Sequence, residues 1–232
     1  MVEYLLKELK KMQIELSYDK AQLLLRFMQL VLTENEKYNL TAIKEPKEFM
    51  IKHFIDSLSL LLFLDQKKPS KLADVGSGAG FPGIPLAVAN EKNHYTLIEA
   101  TKKKTDFLAM ATEELVLSNV KIIQGRAEEL GREEAHRESY DIVVARAVAP
   151  LPILLELCAP LLAVGGTLLA MKGNVIEEAS TAMNLLGLKT EKNYAFSLPE
   201  AQGERRILVL RKERNTPSKY PRSYGQMKKN PL

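Results

Sequence analysis

The chain has 232 residues, 46% hydrophobic and 27% charged, with a single cysteine, no tryptophan and a net charge of +4. This composition supports one full-sized domain with extensions, and a lone Cys158 excludes an internal disulfide and suits a reducing cytoplasm. No apolar run approaches the roughly 18 residues of a membrane span, and His53, His94 and His136 are too scattered for a metal site, so neither a membrane nor a metal is expected.

The start, MVEYLLKELKKMQIEL, is amphipathic and contains acids, which is not the form of a signal peptide. Leu5, Leu6, Leu9, Met12 and Leu16 recur at helical spacing, as do Leu23, Leu24, Phe27, Leu30 and Val31. A third helical face carries Phe49, His53, Phe54, Leu58, Leu61 and Leu62 after Pro46. Lys67-Lys68-Pro69-Ser70 breaks the pattern. Short apolar strands then alternate with helices. Strands are predicted at 72–75, 95–98, 121–123, 142–145 and 167–171, with helices at 85–90, 102–117, 151–162 and 175–186. The alternation predicts an α/β fold with a parallel sheet covered by helices on both faces. Segments 193–198 and 206–211 are expected to close it as an antiparallel hairpin. Beyond Asn215 there is no periodicity. Residues 205–232 carry nine basic residues against one acid, Glu213, whereas residues 1–68 carry 11 basic and 10 acidic. The expected divisions are a helical extension packed on the core, 1–68, a central domain, 69–212, and a basic tail, 213–232. The tail suggests a polyanionic partner.

The first strand runs into ADVGSGAGFPGIPLA, residues 73–87. In open α/β sheets the first strand-to-helix turn is the usual ligand cradle, and Gly76 and Gly78 let a ligand approach the backbone. A dinucleotide fingerprint is not met, because Phe81 stands at its third glycine. Pro82 and Pro85 lack the N–H groups that a pyrophosphate uses at a helix N-terminus. An adenosine ligand without phosphate fits better, namely S-adenosylmethionine. Glu99, ending the second strand, is placed to accept the ribose hydroxyls. Asp74 is placed to orient the loop or to meet the ligand's amino group through water. Ala127 and Glu128, after the third strand, are placed to read the adenine edge.

Further stretches carry a resemblance. Asn39-Leu40-Thr41-Ala42-Ile43, His53-Phe54-Ile55-Asp56-Ser57-Leu58, the glycine turn, Arg146-Ala147-Val148-Ala149-Pro150-Leu151, Lys172-Gly173 and the ending Lys219-Tyr220-Pro221-Arg222-Ser223-Tyr224-Gly225 resemble the bacterial 16S ribosomal RNA guanine-N7 methyltransferases, also called glucose-inhibited division protein B. The resemblance spans nearly the whole chain. It implies a class I, Rossmann-like methyltransferase fold with a mostly parallel seven-stranded sheet, a terminal antiparallel hairpin and N-terminal helices. It also implies methyl transfer from S-adenosylmethionine to N7 of one guanosine in 16S RNA, in the cytoplasm. Its motifs assign cofactor contacts to Gly76, Phe81, Ala127, Glu128 and Arg146.

Guanine N7 carries a lone pair and no proton, so its methylation needs no general base. Catalysis then rests on alignment, with Arg146 and Lys172 as candidate positioning residues. An arginine that reads O6 and N7 together covers the reacting atom. N7 is also poorly reached inside an RNA duplex, so the target base belongs in a loop or is flipped out. Candidate RNA contacts are Arg205, Arg206, Lys219, Arg222, Lys228 and Lys229, with Tyr220 and Tyr224 able to stack on bases. Removing residues from Asn215 onward is expected to weaken RNA methylation and to leave cofactor binding intact. Nothing in the sequence requires more than a monomer. A small-molecule methyltransferase and a non-enzymatic S-adenosylmethionine-binding or ribosome-assembly protein stay open as alternatives on the same fold.

Overall fold

The computed structural model describes all residues except Gln66, Lys67 and Val175. The predicted break at Lys67 and the predicted helix start at Val175 therefore lie outside the described residues. Helix α1 (Val2–Lys11) buries Leu5 and Leu9. Helix α2 (Tyr18–Tyr38) begins where the Ser17 hydroxyl accepts from the Lys20 N–H and ends where Asn39 turns left-handed, φ 53°. The third apolar face is one winding run that changes pitch. It passes from α3 (Pro46–Phe49) through a π-helical stretch, Met50–Ile55, to α4 (Asp56–Leu58) and a 3-10 turn, Ser59–Phe63. The π stretch brings His53 and Asp56 toward the sheet on one side, a distortion that concentrates at functional sites.

Seven strands form one sheet: β1 (Lys71–Val75), β2 (His94–Glu99), β3 (Val120–Gln124), β4 (Tyr140–Arg146), β5 (Leu162–Lys172), β6 (Leu188–Ser197) and β7 (Glu204–Lys212). Their spatial order is β3-β2-β1-β4-β5-β7-β6. Strands β1 to β5 are parallel, and β7 enters antiparallel between β5 and β6. Burial explains that order. Ile207, Leu208, Val209 and Leu210 are all covered, as an inner strand requires, whereas β6 exposes Lys189, Glu191 and Lys192 along the outer edge. The order reverses between β1 and β4, which opens a crevice beyond their carboxyl ends.

Helices α5 (Gly83–Ala89), α6 (Lys102–Glu114), α7 (Ala127–Leu130), α8 (Leu151–Cys158) and α9 (Ser180–Leu186) follow their strands. The described start of α9 falls later than predicted, at Ser180, and ahead of it Glu177 pairs with the Lys172 ammonium. One face of the sheet shares an apolar core with the N-terminal helices, in which Leu9, Phe27, Phe49 and Phe54 meet Phe81, Ile84 and Leu97. On the other face α8 and α9 pack on Val143, Leu168 and Leu210.

Residues 213–232 fold back onto this second face. Tyr220 and Met227 are buried there, and the segment ends in α10 (Tyr224–Lys229). Arg137 donates to the carbonyls of Thr216 at 2.7 Å and Tyr220 at 3.0 Å, and Arg132 donates to that of Pro221. The lack of periodicity after Asn215 therefore reflects a segment held by specific polar anchors rather than by a helical stripe.

Candidate functional site

Two cavities open beyond the carboxyl ends of the strands. The first lies over β1, β2 and β3. Gly76 and Gly78 follow β1 with φ of 71° and 58°, a region that side chains with a Cβ disfavour. Asp74 fixes this loop from beneath. Its Oδ2 accepts the Gly83 N–H at 2.9 Å, and its carbonyl accepts the Ser77 hydroxyl at 2.9 Å. The Asp74 side chain is wholly buried. Burial pushes its carboxyl up to about 7, partly opposed by the Gly83 N–H bond and the Arg146 charge. Of the two roles expected for Asp74, orienting the loop is the one that its contacts display.

Glu99 shapes the loop from the side. Its Oε2 accepts the Gly78 N–H at 3.0 Å and its Oε1 the Thr101 N–H at 2.8 Å. Each oxygen keeps a lone pair for a further donor. With Gly76, Ala127, Glu128, Val148, Leu157 and Tyr224, Glu99 lines a cavity of about 420 Å³. A Cβ added at Gly78 would meet only the Gly76 carbonyl, 3.9 Å away. The backbone there is open to a close-lying ligand. Carboxylates face this space at Glu99 and Glu128, and apolar walls at Ile98, Val148 and Leu157. This set suits a nucleoside with free hydroxyls.

The Phe81 ring is not part of this cavity. It is buried, with its face on His53 at a centroid distance of 4.4 Å and with Arg146 5.3 Å from its centre. Its aromatic partners, Phe27, Phe49 and Phe54, belong to the N-terminal helices. Any contact it makes with the cofactor is left to its backbone.

The second cavity, about 380 Å³, lies at the ends of β4 and β5. Its lining includes Lys52, His53, Asp56, Arg146, Lys172 and Arg205. Arg146 is heavily engaged. Its Nη1 donates to the Lys52 carbonyl at 2.9 Å and to Asp56 Oδ2 at 3.1 Å, and its Nη2 to His53 Nδ1 at 3.1 Å. A guanidinium can only donate, so Nδ1 is the acceptor, and the imidazole proton lies on Nε2, 2.9 Å from the Thr41 hydroxyl. Burial, then the Arg146 and Lys52 charges, pull the His53 pKa down to about 3. Burial pushes Asp56 up while Arg146 and Arg205 pull against it. Arg205 Nε lies 3.3 Å from Asp56 Oδ1. That is ion-pair contact without hydrogen-bond alignment, since Oδ1 has no hydrogen-bond partner. Lys172 donates to the Ala149 carbonyl at 3.3 Å and pairs with Glu177 at 2.9 Å, tying β5 to the loop that follows Arg146.

The expected RNA contacts separate into groups. Arg206, near the start of β7, donates to the Asn174 carbonyl at 3.0 Å in a solvent-exposed contact. Lys219, Lys228 and Lys229 are exposed. Arg222 is committed elsewhere: its Nε and Nη2 hold both oxygens of the fully buried Glu156 at 2.9 and 2.6 Å. Tyr220 is buried, which removes it as a base-stacking platform. Tyr224 borders the first cavity instead. Sequence reasoning placed Tyr224 with RNA, and only the fold-back of the tail reveals its position. For His53 and Asp56 a signal existed in their i, i+3 spacing on an apolar helix, yet that spacing equally suits buried structural residues.

The family model described as rRNA small subunit methyltransferase G (GidB) matches residues 20–208. The chain belongs to this family. Curated relatives agree over the full length. Ribosomal RNA small subunit methyltransferase G of Staphylococcus aureus (strain JH9) is 40% identical over 235 residues, covering 100% of this chain and 98% of the relative. The protein of the same name from Bacillus cereus (strain B4264) is 41% identical with the same coverage. Among solved structures, an S-adenosylmethionine-dependent methyltransferase from Aquifex aeolicus superposes with a TM-score of 0.53 at 14% identity, over 70% of this chain and 92% of the other. M. jannaschii TYW2, solved in complex with S-adenosylmethionine, gives 0.53 at 16% identity, over 73% and 77%. At such identities the structures establish the fold. As a GidB family member, the chain is an S-adenosylmethionine-dependent methyltransferase with that molecule as its cofactor, and the glycine-lined cavity has the donors, acceptors and apolar walls to hold it. Among the described residues no helix is long and apolar enough to cross a membrane.

Proposed function

We propose that the protein methylates N7 of one guanosine in 16S ribosomal RNA, with the base entering the cavity beside Arg146. S-adenosylmethionine, when bound, supplies a methyl group on a positively charged sulfur. Gly76, Gly78, Glu99, Ala127 and Glu128 are the residues proposed to hold it, with Asp74 fixing the loop beneath. The observation that carries the N7 reading is that the second cavity presents no histidine free to take a proton, and that the carboxylate in its lining, Asp56, is tied to two arginines. His53 is neutral and bonded at both ring nitrogens, and Asp56 is buried against two arginines. A nucleophile that must first lose a proton would find only a carboxylate already neutralised by Arg146 and Arg205. Guanine N7 needs none, and alignment alone can drive the step.

The same contacts bear on recognition. With its guanidinium held by Lys52, His53 and Asp56, Arg146 is not free to cover O6 and N7 together, the contact that would mask the reacting atom. We assign Arg146 and Lys172 to positioning the loop and the base. Arg205, Arg206, Lys219, Lys228 and Lys229 remain the proposed phosphate contacts, acting on a looped or flipped-out base. Arg222 leaves that group because of its pair with Glu156. A ribosomal RNA substrate and a free, buried Cys158 support a cytoplasmic setting. The test is nucleoside analysis of ribosomal RNA labelled by the enzyme. N7-methylguanosine as the sole product supports the proposal; label on a ring N–H, an amino group or a ribose hydroxyl refutes it.

A further inference from the structure

We infer that Tyr224 is a cofactor-binding residue, and that the C-terminal segment is a strap completing the adenosine side of the cavity. The inference rests on reading the glycine-lined cavity as the S-adenosylmethionine site. Tyr224 lies beyond residue 208, outside the span matched by the family model. Yet it borders the same cavity as Glu99, Ala127, Glu128, Val148 and Leu157.

The ring is held there from both sides. Two residues before it, Arg222 grips Glu156 through its backbone N–H at 2.8 Å and its guanidinium at 2.9 and 2.6 Å. Glu156 is fully buried on α8, one position before Leu157, so the anchor and the cavity wall belong to the same helical turn. Three residues after it, Met227 is completely buried. Between them Ser223 and Gln226 form a reciprocal capping box that fixes Tyr224 at the first helical position of α10. The residue remains 36% exposed in spite of these anchors. A large aromatic residue is thus held at a cavity with apolar walls, which it lines together with Ala127 and Glu128, the residues after β3. A flat heterocycle gains contact area and stacking from such a partner.

The inference runs against the expectation that the tail can be removed without touching cofactor binding, and the two are separated by experiment. Point variants test it without stripping the segment that covers Glu156. S-adenosylhomocysteine binding is measured by calorimetry on the full chain. Tyr224→Ala is expected to raise Kd about tenfold, and Tyr224→Phe, which keeps the ring, to stay within about twofold. Glu99→Gln reports on the site reading. A rise above about threefold for Tyr224→Ala supports the inference. A smaller rise, with Glu99→Gln weakened, overturns it and leaves the site reading standing. No change in either variant overturns both. The chain contains no tryptophan, so Tyr224→Trp supplies a second readout that stands even if Tyr224→Ala fails to fold. Its emission is expected to change saturably on adding S-adenosylhomocysteine, and an unchanged spectrum at saturation counts against the strap.

Discussion

Substituting Arg222 by alanine separates a structural anchor from an RNA contact. Glu156 has no exposed surface, and among the described residues the four hydrogen bonds to its carboxylate all come from Arg222. One is from the backbone N–H at 2.8 Å, two from Nε at 2.9 and 3.2 Å, and one from Nη2 at 2.6 Å. Arg222→Ala keeps only the first and leaves a buried carboxylate without a counter-charge. Breaking a buried pair from one side costs about 3–5 kcal/mol. For a domain of this size each kcal/mol is worth about 2–4 °C, so Tm should fall by roughly 10 °C. Replacing both partners with apolar residues, Arg222→Met with Glu156→Leu, should recover most of the loss, because a buried pair and a well-packed apolar pair differ little in net stability. Urea denaturation with fitted midpoints and slopes measures both effects. An Arg222→Ala protein that unfolds within about 0.5 kcal/mol of the wild type while losing RNA affinity would behave as a solvated phosphate contact does and would refute the anchoring role.

Other outcomes follow from the same geometry. Nitrogen NMR should show His53 neutral, protonated on Nε2 and silent between pH 5 and 8, since its pKa is pulled down to about 3; a titration near the ordinary value of about 6.5 would contradict the assigned contacts. For Asp74 the folded-state pKa is raised above the unfolded one, so the native state holds a proton that the unfolded chain releases between about pH 4 and 7. This contribution is present at low pH and is lost as pH rises through about 7. The stability of Asp74→Asn relative to wild type should therefore improve from pH 5 to pH 7, by up to about 1.4 kcal/mol per pH unit, and parallel stability curves would disprove it. Replacing Lys228 and Lys229 together by alanine should weaken RNA binding and reduce its logarithmic salt slope by about 1.4–1.8. S-adenosylhomocysteine affinity should stay unchanged in that variant, and a loss there would show that these lysines serve the strap instead.

The alternation of strands and helices was legible because each strand is a short apolar run bounded by turn residues. The gathering of the glycine turn with acids at positions 74, 99 and 128 was legible because each lies at or just after the end of one of the first three strands. Three features were not. The Phe81 ring turned out to be core, since the helices that stack on it lie 27 to 54 residues upstream in the chain. Arg222 looked like one more tail cation, because its partner Glu156 sits 66 residues away within an otherwise apolar helix. Arg146 stood alone at the end of β4, and only the π-helical stretch, a change of pitch with no compositional mark, brings His53 and Asp56 against it. Each is a long-range polar or aromatic contact, which local periodicity does not encode.

The most direct measurement offers labelled S-adenosylmethionine with small ribosomal subunits and their RNA from cells lacking this protein, and maps the product by the alkali sensitivity of N7-methylguanosine. Label is expected at one guanosine of 16S RNA and should be lost with Gly76→Asp. Absence of label on every RNA form, from a protein that still binds the cofactor, would contradict the proposed function.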